Sequence, residues 1–392
     1  MDSVWFDSDR WNLDGLRLKR NLDVQGIIKI IPLKKDLLQI NRAFVCGDDG
    51  TCLLFDFSKK EIFRVNDDSN ETSSFYTWTY NFTDVQVVGD SIFGLDADDG
   101  LIVEFTVDDD RVVKVGEWKI KDLSPTNKFV VKVDSAGRKT AYLIDNESRE
   151  LLSIILNHEA PTERISINHY RGKRFGSVFF LTADSENKSI LVSDTKNHRI
   201  LEIDCKTGNT VLIGGTGKPG DADGGVPSKA RLGEPAAIAI YRQRKHITFD
   251  KLDSASRQIL EMDPQQVYPR LLLVASSYGN KIKKIIETPL RPSFYGSLYF
   301  DKKIYTLIGG IEDEAPEEEI LFAEENAEYS KVAHINRLTM PQPLDINVSR
   351  QGEVLILTED SDHYRLILLR PSVAVSEISL HKISKAIHVD IS

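Results

Sequence analysis

LVSDTKNHRILEID, residues 191–204, decides the fold. A β-prone apolar run ends on Asp194, a polar stretch follows, and six positions after Asp194 a second apolar run begins at Ile200. This is strand, tight polar turn, strand. Asp and Asn suit the turn because their side chains bond nearby backbone groups and tolerate left-handed conformations. Ile, Leu and Val on either side suit a buried antiparallel hairpin. The pattern recurs upstream as FVCGDDGTCLLF at 44–55, FGLDADDGLIVEF at 93–105 and YLIDNESRELLSI at 142–154. With Gly47, Asp96, Asp145 and Asp194 as anchors, every step is 49 residues, and the second strands begin at Leu53, Ile102, Leu151 and Ile200. Two further copies lie downstream. LVASSYGNKIKKI at 273–285 has Ser276 in the anchor place, and LILTEDSDHYRLILL at 355–369 has Glu359 there with one extra residue before the next strand. Their steps of 82 and 83 residues exceed 49, and the excess is assigned to insertions at 242–270 and 311–336.

More strands fill the intervals: TDVQVVG at 83–89, KFVVKVD at 128–134, GSVFFLT at 176–182, AAIAIY at 236–241 and LDINVS at 344–349. Four short strands per unit and six units predict an all-β chain, a six-bladed β-propeller of four-stranded antiparallel blades forming one domain over 1–392. Helical periodicity is nearly absent. The exception is DKLDSASRQILEMD at 250–263, where Leu252, Ala255, Ile259 and Met262 share one face behind Asp250 as N-cap, so a short helix is expected near 250–262. IIKIIPL at 27–33 is expected to begin the first blade, with the others starting near 74, 124, 172, 233 and 338. An open edge strand invites aggregation, so the ring must close. The tail, with KAIHVDIS at 385–392, is expected to pair with the N-terminal segment, and the pattern leaves open which terminus gives the closing strand.

Residues 191–240 resemble an NHL repeat. That family's pattern is a V-x-D-x-x-N-H-R-I-x-x-I hairpin, a glycine-rich connection and an A-x-L/F-x-x-P-x-G-I-A-V strand. Asp194, Asn197, His198, Arg199 and Ile200 match the first part, and Gly215, Gly217, Gly220 and Gly224 the second. Ala230, Leu232, Pro235, Ile238 and Ala239 match the third, with Ala237 where glycine is usual. The last repeat is a degenerate copy, and the first three hairpins match only the period. The resemblance implies a six-bladed propeller with binding and scaffolding roles.

Of the 60 acidic residues, nine lie in EDEAPEEEILFAEENAE at 312–328, a run with no base, so the rest of the chain is close to neutral against its 50 basic residues. That argues against a chain-wide nucleic-acid footprint, though not against one basic face. Short basic clusters occur at Arg17, Lys19 and Arg20; Arg171, Lys173 and Arg174; Arg242, Arg244 and Lys245; and Lys281, Lys283 and Lys284. The cysteines Cys46, Cys52 and Cys205 are odd in number and show no paired spacing, which argues against a disulfide framework. No apolar run is long enough to span a bilayer. MDSVWFDSDRW carries no secretory signal, so a cytoplasmic location is expected.

Several motifs invite chemistry. GGTGKPGDADGG at 214–225 is not a phosphate loop, because Lys218 is followed by Pro219, which offers neither hydroxyl nor amide. It is not an EF-hand either, because the sixth position counted from Asp221 is Val226, where the loop needs glycine. Asn197, His198 and Arg199 read as residues that bond the turn and neighbouring blades. No metal or cofactor is expected. The leading expectation is a non-enzymatic protein-interaction platform or scaffold subunit. Its contacts are placed on the insertions, at Glu317, Glu318, Glu319 and Phe322 in the acidic run and at Leu252 and Ile259 in the helical stretch. The first alternative is a calcium-dependent hydrolase, since some six-bladed propellers line the tunnel with carboxylates and amides. The aligned positions are Gly26, Thr83, Asn127, Gly176, Glu234 and Gln342, with Asp84 and Asp345 nearby, and Glu234 and Asn127 would serve the metal. The second alternative is an RNA-binding NHL domain, which requires the basic clusters to converge on one rim.

Overall fold

The computed structural model describes residues 26–34, 39–46, 51–65, 72–108, 111–120, 128–134, 136–145, 148, 150–157, 161–184, 188–226, 229–241, 271–292, 298–309, 330–332, 340–349, 353–361 and 363–371. After β1 (Gly26–Lys34), the first blade runs outward from the axis as β2 (Ile40–Cys46), β3 (Thr51–Asp56), β4 (Glu61–Val65) and β5 (Thr72–Thr77). The second is β6 (Asp84–Val88), β7 (Ser91–Asp96), β8 (Leu101–Asp108) and β9 (Arg111–Lys119). The third is β10 (Phe129–Val133), β11 (Lys139–Asp145), β12 (Glu150–Ile155) and β13 (Thr162–Ser166). The fourth is β14 (Val178–Asp184), β15 (Ser189–Asp194), β16 (Arg199–Asp204) and β17 (Thr210–Gly214). After the short β18 (Gly224–Val226), the fifth is β19 (Pro235–Tyr241), β20 (Leu271–Ser276), β21 (Lys281–Pro292) and β22 (Leu298–Ile308). After the short β23 (Ser330–Val332), the sixth is β24 (Gln342–Val348), β25 (Val354–Glu359) and β26 (His363–Pro371). The innermost strands β2, β6, β10, β14, β19 and β24 each touch the next, and β24 touches β2, so the ring closes.

The closure corrects one expectation. β1 does not begin the first blade, which already has four strands without it. Instead β1 pairs antiparallel with β26 and becomes the fourth strand of the sixth blade. The tail 372–392 lies outside the described residues. A second correction concerns the repeat. The hairpin at 44–55 joins β2 to β3, whereas the other five join the second strand of a blade to its third. Its true counterpart is β3–β4, with Asp56 as the anchor in place of Gly47. From 56 to 96 is 40 residues, so the first step of 49 is a coincidence of two polar turns.

The inner strands are covered on both faces because a blade is packed between two others. β15 is buried at every position, which is why the strands read as continuous apolar runs rather than strict alternation. The seam between blades one and two is aromatic, with Phe44, Phe55, Trp78, Phe82 and Phe105. Mainly aliphatic clusters, with a few aromatic rings such as Phe93, Phe129 and Phe63, fill the other seams.

The outer edges of blades five and six carry a fifth strand. β18 pairs with β22, and β23 with β1. Both come from the connection leading into their own blade, so three residues of the 311–336 segment belong to the sheet. The rest of that segment except β23, and all of 242–270, lie outside the described residues, and the helix expected near 250–262 lies there too. Among the described residues the helical pieces are single 3-10 turns at Tyr170–Gly172 and Thr195–Asn197. No helix is long and apolar enough to cross a membrane.

Candidate binding face

In a four-stranded meander, the second-to-third-strand hairpin and the chain leading into the next blade lie at the same end. All six blades therefore present both features on one face of the ring, here called the upper face. The repeated anchor ties the two together. Asp56 accepts from the Gln39 amide at 2.8 Å and the Lys59 amide at 3.0 Å. Asp96 accepts from the amides of Asn81 at 2.8 Å and Asp99 at 3.1 Å. Asp194 accepts from the Gly176 amide at 2.8 Å and from Arg199 Nε at 2.7 Å. In blade five the polarity inverts, and the Ser276 hydroxyl donates to the Gly233 carbonyl at 2.6 Å. The NHL-like residues complete this device. Asn197 Nδ2 donates to Asp194 and to the Arg174 carbonyl, and Arg199 Nη2 donates to the Lys173 carbonyl. His198 Nδ1 accepts from the Glu234 amide of the next blade at 3.3 Å.

Below the upper face the tunnel is occupied by side chains. Arg42, buried on β2, donates to Asp84 on β6 at 2.5 Å and to Asp345 on β24 at 2.9 Å. Burial works against its charge, but the Asp345 and Asp84 carboxylates outweigh burial and hold the Arg42 pKa above its ordinary value. Its guanidinium lies 4.6 Å from the centre of the Phe180 ring, which reaches in from the opposite blade, and 4.8 Å from Phe44. Four of the six innermost strands carry a register shift at this level, at Ile40/Arg42, Val178/Phe180, Pro235/Ile238 and Pro343/Asp345. Such bulges re-aim side chains. Three of them flank Arg42, Phe180 and Asp345. The two carboxylates near the expected metal positions therefore already hold an internal cation. Of those positions, Gly26 lies on the fourth strand of blade six, far from the axis, Asn127 lies outside the described residues, and Glu234 is exposed beside the His198 hairpin.

At the tunnel mouth the bulge in β14 leaves Phe179 45% exposed. Lys128 lies 5.6 Å from its ring and 3.8 Å from Asp84. The connection into β14 carries Arg171, Lys173 and Arg174, all exposed, and the adjoining hairpin carries exposed Lys196. Lys173, Arg174 and Lys196 have no ion partner among the described residues. The next connection adds exposed Lys218, and the blade-five hairpin adds Tyr278, 59% exposed. Elsewhere the face is mixed: Asp98 and Asp99 are exposed on the blade-two hairpin, Glu359 stands on that of blade six, Lys59 is exposed on that of blade one, and Glu234 is exposed on the connection into β19. The cations without ion partners among the described residues thus gather in a basic arc centred on blade four.

Among the described residues no other basic cluster joins this arc. Arg17, Lys19, Arg20, Arg242, Arg244 and Lys245 lie outside the described residues. Lys281 pairs with Asp221, and buried Lys283 is held by Asp221, by Asp223 at 2.9 Å and by Thr306 at 2.6 Å. Lys284 is buried, and burial, only partly offset by Asp223, pulls its pKa down to about 7. The expected contacts Glu317, Glu318, Glu319, Phe322, Leu252 and Ile259 all lie outside the described residues. Sequence reasoning missed the Arg42 clasp. Its signal is faint: one arginine in an apolar strand, and one aspartate in each of two other innermost strands.

No family model matches the chain, and no curated protein matches it at a significant level. Solved structures do. A structural-genomics protein of unknown function from Bacteroides thetaiotaomicron aligns over 88% of this chain and 76% of its own, at 10% identity and a TM-score of 0.55. An auxiliary nutrient binding protein from the same organism aligns over 88% and 76%, at 12% identity and a TM-score of 0.53. An auxiliary nutrient binding protein from Bacteroides ovatus aligns over 88% and 78%, at 12% identity and a TM-score of 0.50. At such identities the likeness is one of fold, and it agrees with the propeller built above.

Proposed function

We propose that this propeller is a non-enzymatic platform that holds a protein partner on the upper face, over the basic arc of blade four. One observation carries the reading: Lys173, Arg174 and Lys196 stand exposed, without ion partners among the described residues, on the connection and hairpin of the blade whose innermost strand presents a half-exposed Phe179. A rigid scaffold with recognition residues on its loops is the usual design of such a surface. The hydrolase reading loses support because Asp84 and Asp345 are engaged by Arg42. The RNA reading needs several basic clusters on one rim, and among the described residues only one of the four stands exposed there. Glu317, Glu318, Glu319, Phe322, Leu252 and Ile259 are proposed as further contacts.

Affinity capture with the intact chain tests the platform, using the wild type, a Lys173→Glu/Arg174→Glu/Phe179→Ser variant and a Glu317→Lys/Glu318→Lys/Glu319→Lys variant. The reading expects a stoichiometric protein that the blade-four variant loses and the acidic-run variant retains less well. A partner held equally by the blade-four variant and the wild type contradicts it.

A further inference from the structure

We infer that the segment seated on this face is an extended acidic peptide with one large apolar side chain, which covers Phe179 while its carboxylates face Arg171, Lys173, Arg174 and Lys196. The inference rests on the platform reading and names its occupant. Charge complementarity is the first argument. Lys281 and Lys283, on the neighbouring blade, are matched by Asp221 and Asp223. The cations on the connection into β14 and on its hairpin have no such matches among the described residues, although the backbone that presents them is firmly held. The carbonyls of Lys173 and Arg174 are bonded by Arg199 and Asn197, and the Gly176 amide by Asp194. The arc is therefore rigid and its charges are left over for a ligand.

The second argument is Phe179. A register shift between Val178 and Phe180 sends Phe180 inward onto Arg42 and leaves Phe179 at the mouth, where Lys128 stands beside its ring. An apolar side chain laid on that ring removes both surfaces from water. The third argument is the limit of the arc. A nucleic acid carries its charge uniformly along its length. It would run from blade four toward Asp98 and Asp99 on one side or Glu359 on the other. A short acidic peptide fits within the basic sector without reaching those carboxylates.

Fluorescence anisotropy with the full chain tests this. The probes are fluorescein-labelled Glu-Asp-Glu-Phe-Glu-Asp-Glu, the same peptide with Ser for Phe, and an oligouridylate of equal charge. The wild type is expected to bind the Phe peptide saturably and more weakly as salt rises. Affinity falls at least tenfold in Lys173→Glu/Arg174→Glu, at least threefold in Phe179→Ser and with the Ser peptide, and not at all in Arg111→Glu on the far edge of blade two. Three results overturn the inference: no saturable peptide binding, binding unchanged in the blade-four variants, or tighter binding of the oligouridylate through the same residues. If the peptide fails while face-dependent protein capture persists, the occupant is not acidic and the platform stands. If that capture also fails, the platform reading falls with it.

Discussion

Lys284 is the residue whose chemistry is most at odds with its surroundings. It is buried on β21, with its ammonium 5.5 Å from the Tyr305 ring and no ion partner among the described residues. Its folded pKa of about 7 lies below the ordinary 10.5. Unfolding therefore takes up a proton between those two values, and stability rises with pH across that window. The penalty is fully present below about pH 7 and is relieved by about pH 10.5. Lys284→Met is expected to raise stability at neutral pH by roughly 2–4 kcal/mol and to flatten the rise between pH 7 and 10. Denaturant titrations at three pH values read this directly, and an unchanged slope contradicts the assignment. Arg42 behaves in the opposite way. Removing it with Arg42→Ala strands two buried carboxylates, at a cost of roughly 3–5 kcal/mol. Adding Asp84→Asn and Asp345→Asn is expected to recover part of that loss in the same titration, since the stranded charges are gone.

At the scale of the element, the unit that repeats is a hairpin clamped to the chain that leads into its own blade. Asp194 shows the arrangement most fully, closing its hairpin and fixing Gly176 ahead of β14. Asp194→Asn keeps the shape but weakens the bond to Arg199. Hydrogen exchange is expected to speed up first in residues 173–177 and 195–199, ahead of the sheet. Uniform exchange across blade four would contradict the clamp. The hairpins of blades two to four were legible in the sequence because an acid between two apolar runs recurs there every 49 residues, at Asp96, Asp145 and Asp194. The blade-one hairpin was misplaced because the DDG at 48–50 looks as good a turn as the one beginning at Asp56. The three-residue strands β18 and β23 were not legible, since so short a piece has no periodicity of its own.

For the whole molecule, closure and the tunnel clasp depend on partners far apart in sequence. Arg42 meets Asp84 across 42 residues and Asp345 across 303, and no local pattern announces such a meeting. The N-terminal strand was legible as a strand but not as the fourth strand of blade six, because nothing within IIKIIPL says which neighbour it pairs with. Deleting residues 26–34 leaves the outer edge of β26 without that partner. The expected outcome is loss of the cooperative thermal transition and aggregation through that edge. A cooperative transition that survives at the wild-type temperature would show that closure does not depend on β1.

The basic arc of the upper face also belongs to the whole molecule, because it comes from connections and hairpins of different blades. Site-specific photo-crosslinking tests the platform claim most directly. p-Benzoylphenylalanine would replace Phe179 at the tunnel mouth in one protein, and Val113, 50% exposed on the outer strand β9, in another. The account predicts a single protein adduct at position 179, lost when Lys173 and Arg174 are changed to Glu, and none at position 113. No adduct at 179, or the same adduct at both positions, would contradict it.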